Sequence, residues 1–272
     1  MNTTRSVSIQ RLHREQPVAE VQDAVATEEP LEIRVEGRSI AIVMRTPGHD
    51  EELAAGFLLT EGVVHRASDL FEISVCPSTS QGGGNVVDVL LAGVVVNWES
   101  LTRHVFASSS CGICGKTSMD AVFQSFPKVE SPWQVSSKVL LSLPDKLRAA
   151  QTAFEKTGGL HASALFDREG TLIVLREDVG RHNALDKVLG YALRQNLLPL
   201  SDHLLMVSGR VSFEIMQKAL AGGIGLVAAI SAPSSLAVDF AAESGQTLAG
   251  FMRDDRMNVY AHGERITHTV AS

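Results

Sequence analysis

The chain has 272 residues, 44% of them hydrophobic and 20% charged, a composition typical of a globular protein with one large domain or a main domain and a small appended one. The formal net charge of −7 argues against nonspecific nucleic-acid binding, because such binders concentrate Lys and Arg to neutralise phosphates. No run of about 18 apolar residues and no basic-then-apolar leader occurs, so we expect a cytoplasmic protein without a membrane partner.

The first third of the chain is predicted to be β-rich. Residues 1–28 lack a sustained apolar period and are predicted to form a flexible N-terminal arm. Alternating apolar residues over 31–44, interrupted by a Glu-Gly-Arg turn, predict a β-hairpin. A helix is expected over 49–61, where apolar residues recur at helical spacing behind an acidic cluster. Strand-like stretches follow at 71–76 and 86–96.

Predicted helices and strands alternate in the second half. After a helix over 138–156 we expect strands at 160–166, 171–175, 204–207, 226–230 and 247–251, and helices at 182–195, 211–220 and 234–243. This order predicts an α/β fold, with a layered mixed sheet flanked by helices. A weak break near 127–137 divides a smaller N-terminal β-rich portion, 29–130, from an α/β domain, 131–272.

Three cysteines, Cys76, Cys111 and Cys114, are too few for a disulfide framework, and a reducing compartment would keep them as thiols. Cys111 and Cys114 lie in a Ser- and Gly-rich loop over 106–118, beside Lys116, which favours accessible thiolates. A thiolate accepts sulfane sulfur by the displacement that drives thiol–disulfide exchange, so this pair is the candidate sulfur-carrying centre. Cys76, within an apolar strand pattern, is interpreted as a core residue.

Three other interpretations of the Cys pair stay open. Half of a zinc site would need a second ligand pair, and His104 and His161 do not have that spacing, so no metal site is predicted. A thioredoxin-like redox pair should follow a strand and open a helix, which the Ser-rich loop fits poorly. The third interpretation is a pair of inert loop cysteines.

Polar segments follow three of the predicted strands. The run 177–187, with Arg181 and His182, begins a helix where open α/β sheets place their ligand sites. Ser208 and Arg210 follow the next strand, at a helix start that suits a phosphate. Helix capping and an ordinary tight turn are the structural alternatives. A third segment suits an anionic ligand and consists of Phe251, Met252, Arg253, Asp254, Asp255 and Arg256.

In these segments the chain resembles the formate dehydrogenase accessory sulfurtransferase family, FdhD. The resemblance extends in order over about residues 30–260 and rests on 46–47, 51–62, 111–115, 158–162, 177–187, 208–210, 231–233 and 247–260. Departures from the family pattern fall at 35–37 and 223–225, outside the Cys-x-x-Cys loop and the arginine segment.

The resemblance implies a sulfurtransferase. A cysteine desulfurase would load a persulfide onto Cys111, with Cys114 assisting transfer or release. The sulfur would pass to the bis(molybdopterin guanine dinucleotide) molybdenum cofactor, bound as substrate, and so serve the catalytic subunit of formate dehydrogenase. The resemblance also implies a cytidine-deaminase-like fold and a homodimer.

The resemblance further implies that 251–256 form part of the cofactor site. The pyrophosphates of the guanine dinucleotide would explain arginines at several strand ends in an acidic protein. We expect these side chains to converge on one cavity, together with His182 and Ser208; the arginines are Arg181, Arg210, Arg253 and Arg256.

Two other functions remain alternatives. A zinc-dependent deaminase would use His-x-Glu followed by Pro-Cys-x-x-Cys, but residue 184 is Ala and no proline precedes Cys111. A noncatalytic chaperone that holds the molybdenum cofactor would activate its target without either cysteine of the pair.

Overall fold

The structure, a computed structural model, describes residues 2–76, 85–98, 126–130 and 132–268. The loop predicted over 106–118, with Cys111 and Cys114, lies outside the described residues.

The first strands form a two-stranded antiparallel sheet of β1, Thr4–His13, and β2, Gln16–Ala26. The two strands were not predicted from the sequence, and the flexibility of the arm over 1–28 stays a prediction. Most of their side chains are exposed, so the pairing depends on backbone hydrogen bonds and leaves no sustained apolar period in the sequence.

A smaller sheet of four strands follows. Its members are β3, Glu29–Val35, β4, Arg38–Arg45, β5, Leu70–Cys76, and β6, Val86–Leu91, in the order β4-β3-β6-β5. The predicted hairpin over 31–44 is confirmed as β3 and β4, which turn through Glu36 and Gly37 at φ 51° and 74°. The strand expected over 86–96 ends earlier, at Leu91.

A larger sheet of six strands fills the second half. A short parallel pair beside it consists of β7, Val135–Ser136, and β14, Ile266–Thr267. The six strands are β8, His161–Phe166, β9, Leu172–Asp178, β10, Leu204–Val207, β11, Leu226–Ala229, β12, Thr247–Arg253, and β13, Arg256–Ala261.

The strand order of the larger sheet, β13-β12-β11-β10-β8-β9, decides which loops meet. Strands β10, β11 and β12 are parallel, whereas β8 and β13 are antiparallel to their neighbours and β9 is antiparallel to β8. The ends of β9, β10, β11 and β12 and the starts of β8 and β13 therefore share one edge, called the carboxyl edge below.

The helices are α1, Asp50–Thr60, α2, Ser137–Ala150, α3, Thr152–Thr157, α4, Arg181–Arg194, α5, Phe213–Ala221, and α6, Ser235–Ser244. The single helix predicted over 138–156 is thus two helices, because Gln151 leaves the helical region at φ −80° and ψ 70°. Within the described part of the chain, no helix is long and apolar enough to cross a membrane.

Helices α1 and α4 join the two sheets. Helix α1 contacts β5 and β6 of the smaller sheet and packs along α4, which lies on β8 and β9 of the larger one. A Cβ at Gly56 would lie 1.8 Å from the Asp186 carbonyl oxygen, and one at Gly190 would lie 1.8 Å from that of Glu52, so only glycine permits this approach.

The prediction of a layered mixed α/β fold is confirmed, with helices against both faces of the larger sheet. One apolar core includes Leu31 and Val87 of the smaller sheet and Leu165 and Val227 of the larger sheet, while a second lies under α2. The two predicted portions therefore share a core. Their boundaries and the cytidine-deaminase likeness stay predictions.

Glu52 of α1 forms a two-bond ion pair with Arg176 of β9. The guanidinium Nε lies 2.6 Å from Glu52 Oε2, and Nη2 lies 2.8 Å from Oε1. Although burial alone would raise it, Arg176 and His49 lower the pKa of Glu52 from 4.5 to about 2.

The Glu52 pair is expected to make stability pH-dependent. Because the folded-state pKa is the lower one, the carboxylate stabilises the fold above pH 4.5 and loses that contribution as pH falls through about 2. At 1.36 kcal/mol per pKa unit, the ionised Glu52 carboxylate contributes about 3 kcal/mol to stability at pH 7. About 2 kcal/mol of this contribution is lost by pH 3. In urea unfolding, the free energy of unfolding of Glu52→Gln should fall less steeply with decreasing pH than that of the wild type. The exposed control Glu155→Gln should follow the wild type. Equal slopes in all three proteins would contradict this.

Candidate functional site

The turn between β9 and α4 is held by a buried carboxylate. Asp178, the last residue of β9, is 0% exposed. Its Oδ1 accepts hydrogen bonds from the backbone N–H of Gly180, at 2.8 Å, and from Asn183 Nδ2, at 3.0 Å. Gly180 is the N-cap of α4, so Asp178 fixes the backbone from which the helix starts.

A buried lysine ties this turn to the chain before α1. Lys187 Nζ donates to Asp178 Oδ2 at 2.7 Å and to the Thr46 carbonyl oxygen at 2.8 Å. The Thr46 N–H also donates to Asp178 Oδ2, at 3.1 Å, while its hydroxyl accepts from the Val179 N–H at 3.1 Å. The charges compensate each other, as buried ions require.

Another acidic residue of the 177–187 run has a structural role. The Glu177 carboxylate accepts from the N–H groups of Ala153 and Phe154, at 2.9 and 2.7 Å, at the start of α3. The capping alternative therefore accounts for Glu177 and Asp178, and it leaves Arg181 and His182 without such a role.

Arg181 and His182 stand in the first turn of α4 with unused hydrogen-bonding atoms. Among the described residues, the buried Arg181 Nε and His182 Nε2 have no hydrogen-bond partner. Burial, followed by Lys218 and Arg181, lowers the pKa of His182 to about 4, so its imidazole is neutral at pH 7. Buried polar atoms are normally paired, so Arg181 Nε and His182 Nε2 are candidates for hydrogen bonds to a ligand.

The start of β8 brings His161 beside these residues. His161 pairs in register with Asp178, and a Cβ on Gly209 would lie 3.2 Å from its Nδ1. Burial, followed by the charges of Arg181 and Arg210, lowers the pKa of His161. Sequence analysis weighed this histidine as a metal ligand and included it in the 158–162 segment of the resemblance, but did not predict its place beside Arg181 and Arg210.

Ser208 and Arg210 lie beyond the end of β10. The Ser208 hydroxyl accepts from the Ala162 N–H, and its own N–H donates to the Ala162 carbonyl oxygen, both at 2.9 Å. Ser208 therefore fastens this loop to β8, and Arg210 is exposed beside His161. The structure brings Arg181, His182, Ser208 and Arg210 to the same part of the carboxyl edge.

The segment 251–256 lies on the same edge, on the outermost strands. Phe251 has a φ of 52°, is 39% exposed and donates its N–H to the Ser231 carbonyl oxygen at 3.1 Å. Met252 is 1% exposed and packs in the core under α2, so its side chain is not on the ligand-accessible surface. The exposed remainder consists of Arg253, Asp254, Asp255 and Arg256, at the turn between β12 and β13.

The edge as a whole suits an anion. Strand β11 separates the 251–256 segment from the end of β10, so the two arginine groups share an edge, and their convergence on one cavity stays a prediction.

Below the edge, Lys218 Nζ lies 2.9 Å from both carboxylate oxygens of Asp186, whose pKa is raised by burial. Arginines beside neutral histidines can bind an oxyanion by charge-assisted hydrogen bonds.

The cysteines are only partly within the described residues. Cys76, at the end of β5, lies opposite Val86 of β6 and has a free, half-buried thiol, so its interpretation as a core residue is wrong. Its strand belongs to a sheet with one solvent-facing side, which the apolar pattern did not reveal. Among the described residues, no cluster of three or more His, Cys, Asp or Glu could hold a metal ion.

Comparison with known proteins places this architecture beside one family. The model of the FdhD/NarQ family matches residues 26–267. The chain is 53% identical to the "Sulfur carrier protein FdhD" of Streptomyces avermitilis, over 95% of this chain and 94% of that protein. Identity to the protein of the same name from Mycobacterium tuberculosis is 50%, over 90% and 92%.

A solved structure is also similar. The crystal structure of a candidate formate dehydrogenase accessory protein from Desulfotalea psychrophila has a TM-score of 0.77 and 25% sequence identity to this chain. The match covers 98% of this chain and 100% of that chain.

Proposed function

Because the chain belongs to the FdhD/NarQ family, we propose that it is a sulfur carrier that serves formate dehydrogenase. The observation that carries this proposal is the 53% identity, over 95% of the chain, to a relative named as a sulfur carrier protein. The name of the similar crystal structure adds the link to formate dehydrogenase. We place the protein in the cytoplasm, as a homodimer.

The proposed chemistry is a persulfide relay on Cys111. Its thiolate attacks the terminal sulfur of a persulfide on a cysteine desulfurase, which forms a Cys111 persulfide and releases the desulfurase thiolate. Attack by Cys114 on the inner sulfur then forms a disulfide with Cys111 and releases hydrosulfide for the acceptor. A cellular dithiol must reduce that disulfide before the next cycle.

The proposed acceptor is the molybdenum of the bis(molybdopterin guanine dinucleotide) cofactor, which binds as a substrate. Its pyrophosphates are anions, and the carboxyl edge offers Arg181 and Arg210, beside the Arg181 Nε and His182 Nε2 atoms that have no hydrogen-bond partner among the described residues. Arg253 and Arg256 extend the same edge. Delivery would be to the catalytic subunit of formate dehydrogenase.

Intact-protein mass spectrometry tests the carrier role. After incubation with a cysteine desulfurase and cysteine, we expect an adduct of about 32 Da that a reductant removes. Cys76→Ala should retain the adduct, because Cys76 lies on β5 outside the Cys-x-x-Cys motif, and Cys111→Ala should lose it. Absence of any adduct on the wild type, with an active desulfurase, would favour a chaperone that only holds the cofactor.

A further inference from the structure

We propose that His161 is an anion-binding residue of the carboxyl edge and that it takes up a proton when a pyrophosphate-bearing nucleotide binds. This inference rests on the proposed function, because it assumes that the edge receives the guanine dinucleotide. It adds a binding residue and a pH dependence to that site.

The first observation that supports this role is the position of His161. The residue opens β8, which lies between β9 and β10, so its ring stands between the two loops that carry Arg181 and Arg210. Glycine at position 209 leaves room for the His161 ring, because a Cβ there would lie only 3.2 Å from Nδ1. Within the described ranges the His161 ring makes no hydrogen bond to the protein, so the imidazole can still bind a ligand.

The second observation is the set of charged groups around the His161 ring. Arg181 from α4 and Arg210 from the loop after β10 oppose protonation of His161, and burial opposes it further. Asp178 from β9 favours protonation, but its carboxylate is already neutralised by Lys187. Burial and the two arginines therefore outweigh Asp178, and the pKa of His161 in the free site is lowered.

The charged groups farther from His161 do not offset the effect of burial and of the two arginines on its pKa. His182 stays neutral, because burial and then Lys218 and Arg181 lower its pKa to about 4. Glu214 from α5 is an anion whose pKa is lowered, against its burial, by Ser212, His182 and Arg181. Glu214 interacts with His182 and Arg181. Among the described groups, the carboxylate that acts on His161 is Asp178, which is already paired with Lys187.

A bound polyanion changes the charge seen by the imidazole. Opposite charge within about 4–6 Å raises a histidine pKa by about 1–3 units, because it stabilises the imidazolium. The proton taken up on binding makes affinity rise as pH falls. Over the titration range of His161, this linkage corresponds to an affinity change of about 10-fold or more.

Calorimetric titration with GDP, a nucleotide that carries a guanine and a pyrophosphate, tests the inference. Titrations at pH 6 and pH 8 would compare the wild type, His161→Gln and the control His13→Gln, whose histidine is exposed on β1. We expect the ratio of Kd at pH 8 to Kd at pH 6 to be several-fold larger in wild type and control than in His161→Gln. Titration of the GDP phosphates is common to all three proteins and cancels in this comparison.

A second measurement does not depend on a variant. Repeating the wild-type titration at pH 7 in two buffers of different ionisation enthalpy gives the number of protons bound, which should exceed the uptake by GDP itself. GDP binding with the same pH ratio in wild type and His161→Gln, or wild-type binding with no proton uptake beyond that of GDP, would overturn the role of His161 alone. No GDP binding to the wild type would overturn this inference and the proposed cofactor site together, while the persulfide experiment would still report on sulfur loading.

Discussion

Cys111→Ala is expected to reduce activation of formate dehydrogenase by at least about 100-fold, within the range seen when a catalytic nucleophile is removed. The reason is chemical: only a thiolate at this position can accept sulfane sulfur, and Ala offers no nucleophile. The measurement is formate dehydrogenase activity in cells that lack the natural gene and express each variant at matched levels.

The control for this prediction is Cys76→Ala, which removes a thiol from the end of β5 and should leave activation unchanged. Cys114→Ala should also reduce activation, because release of sulfur needs the second thiol. Full activation by both Cys111→Ala and Cys114→Ala would contradict the carrier proposal and support a noncatalytic chaperone. The deaminase alternative predicts instead a zinc content that a metal assay would detect.

Lys187→Met is expected to destabilise the fold by about 3–5 kcal/mol, the usual cost of leaving one member of a buried ion pair uncompensated. Lys187 is 1% exposed and Asp178 is 0% exposed, so water cannot replace the lost ammonium. Thr46 would lose a hydrogen bond to its carbonyl oxygen at the same time. Urea unfolding monitored by circular dichroism gives the change in free energy.

Lys156→Met is the matched control, because Lys156 is exposed in the last turn of α3 and its loss should change stability by less than about 0.5 kcal/mol. In Asp178→Asn/Lys187→Met the buried charge is removed together with its partner, so the loss should be smaller than the sum of the single losses. A Lys187→Met protein as stable as the control would show that the pair does not hold the two loops together.

The order of elements in the second half could be predicted because each buried segment carries its own period. The strand at 204–207 is confirmed at its predicted bounds, and α4 and α6 lie within one residue of theirs. The first strands could not be found this way. Strands β1 and β2 bury few side chains, so no sustained alternation of apolar and polar residues marks them.

By itself, the sequence determined the polar segments that follow the strands and the motifs by which the family is identified. Only the tertiary structure decided that Arg181 and Arg210 meet across His161, because β8 enters antiparallel between β9 and β10 and sequence spacing carries no strand order. It also decided that Met252 turns into the core, since Phe251 adopts a positive φ and shifts the alternation of β12. Both outcomes depend on contacts between distant residues, which local periodicity does not encode.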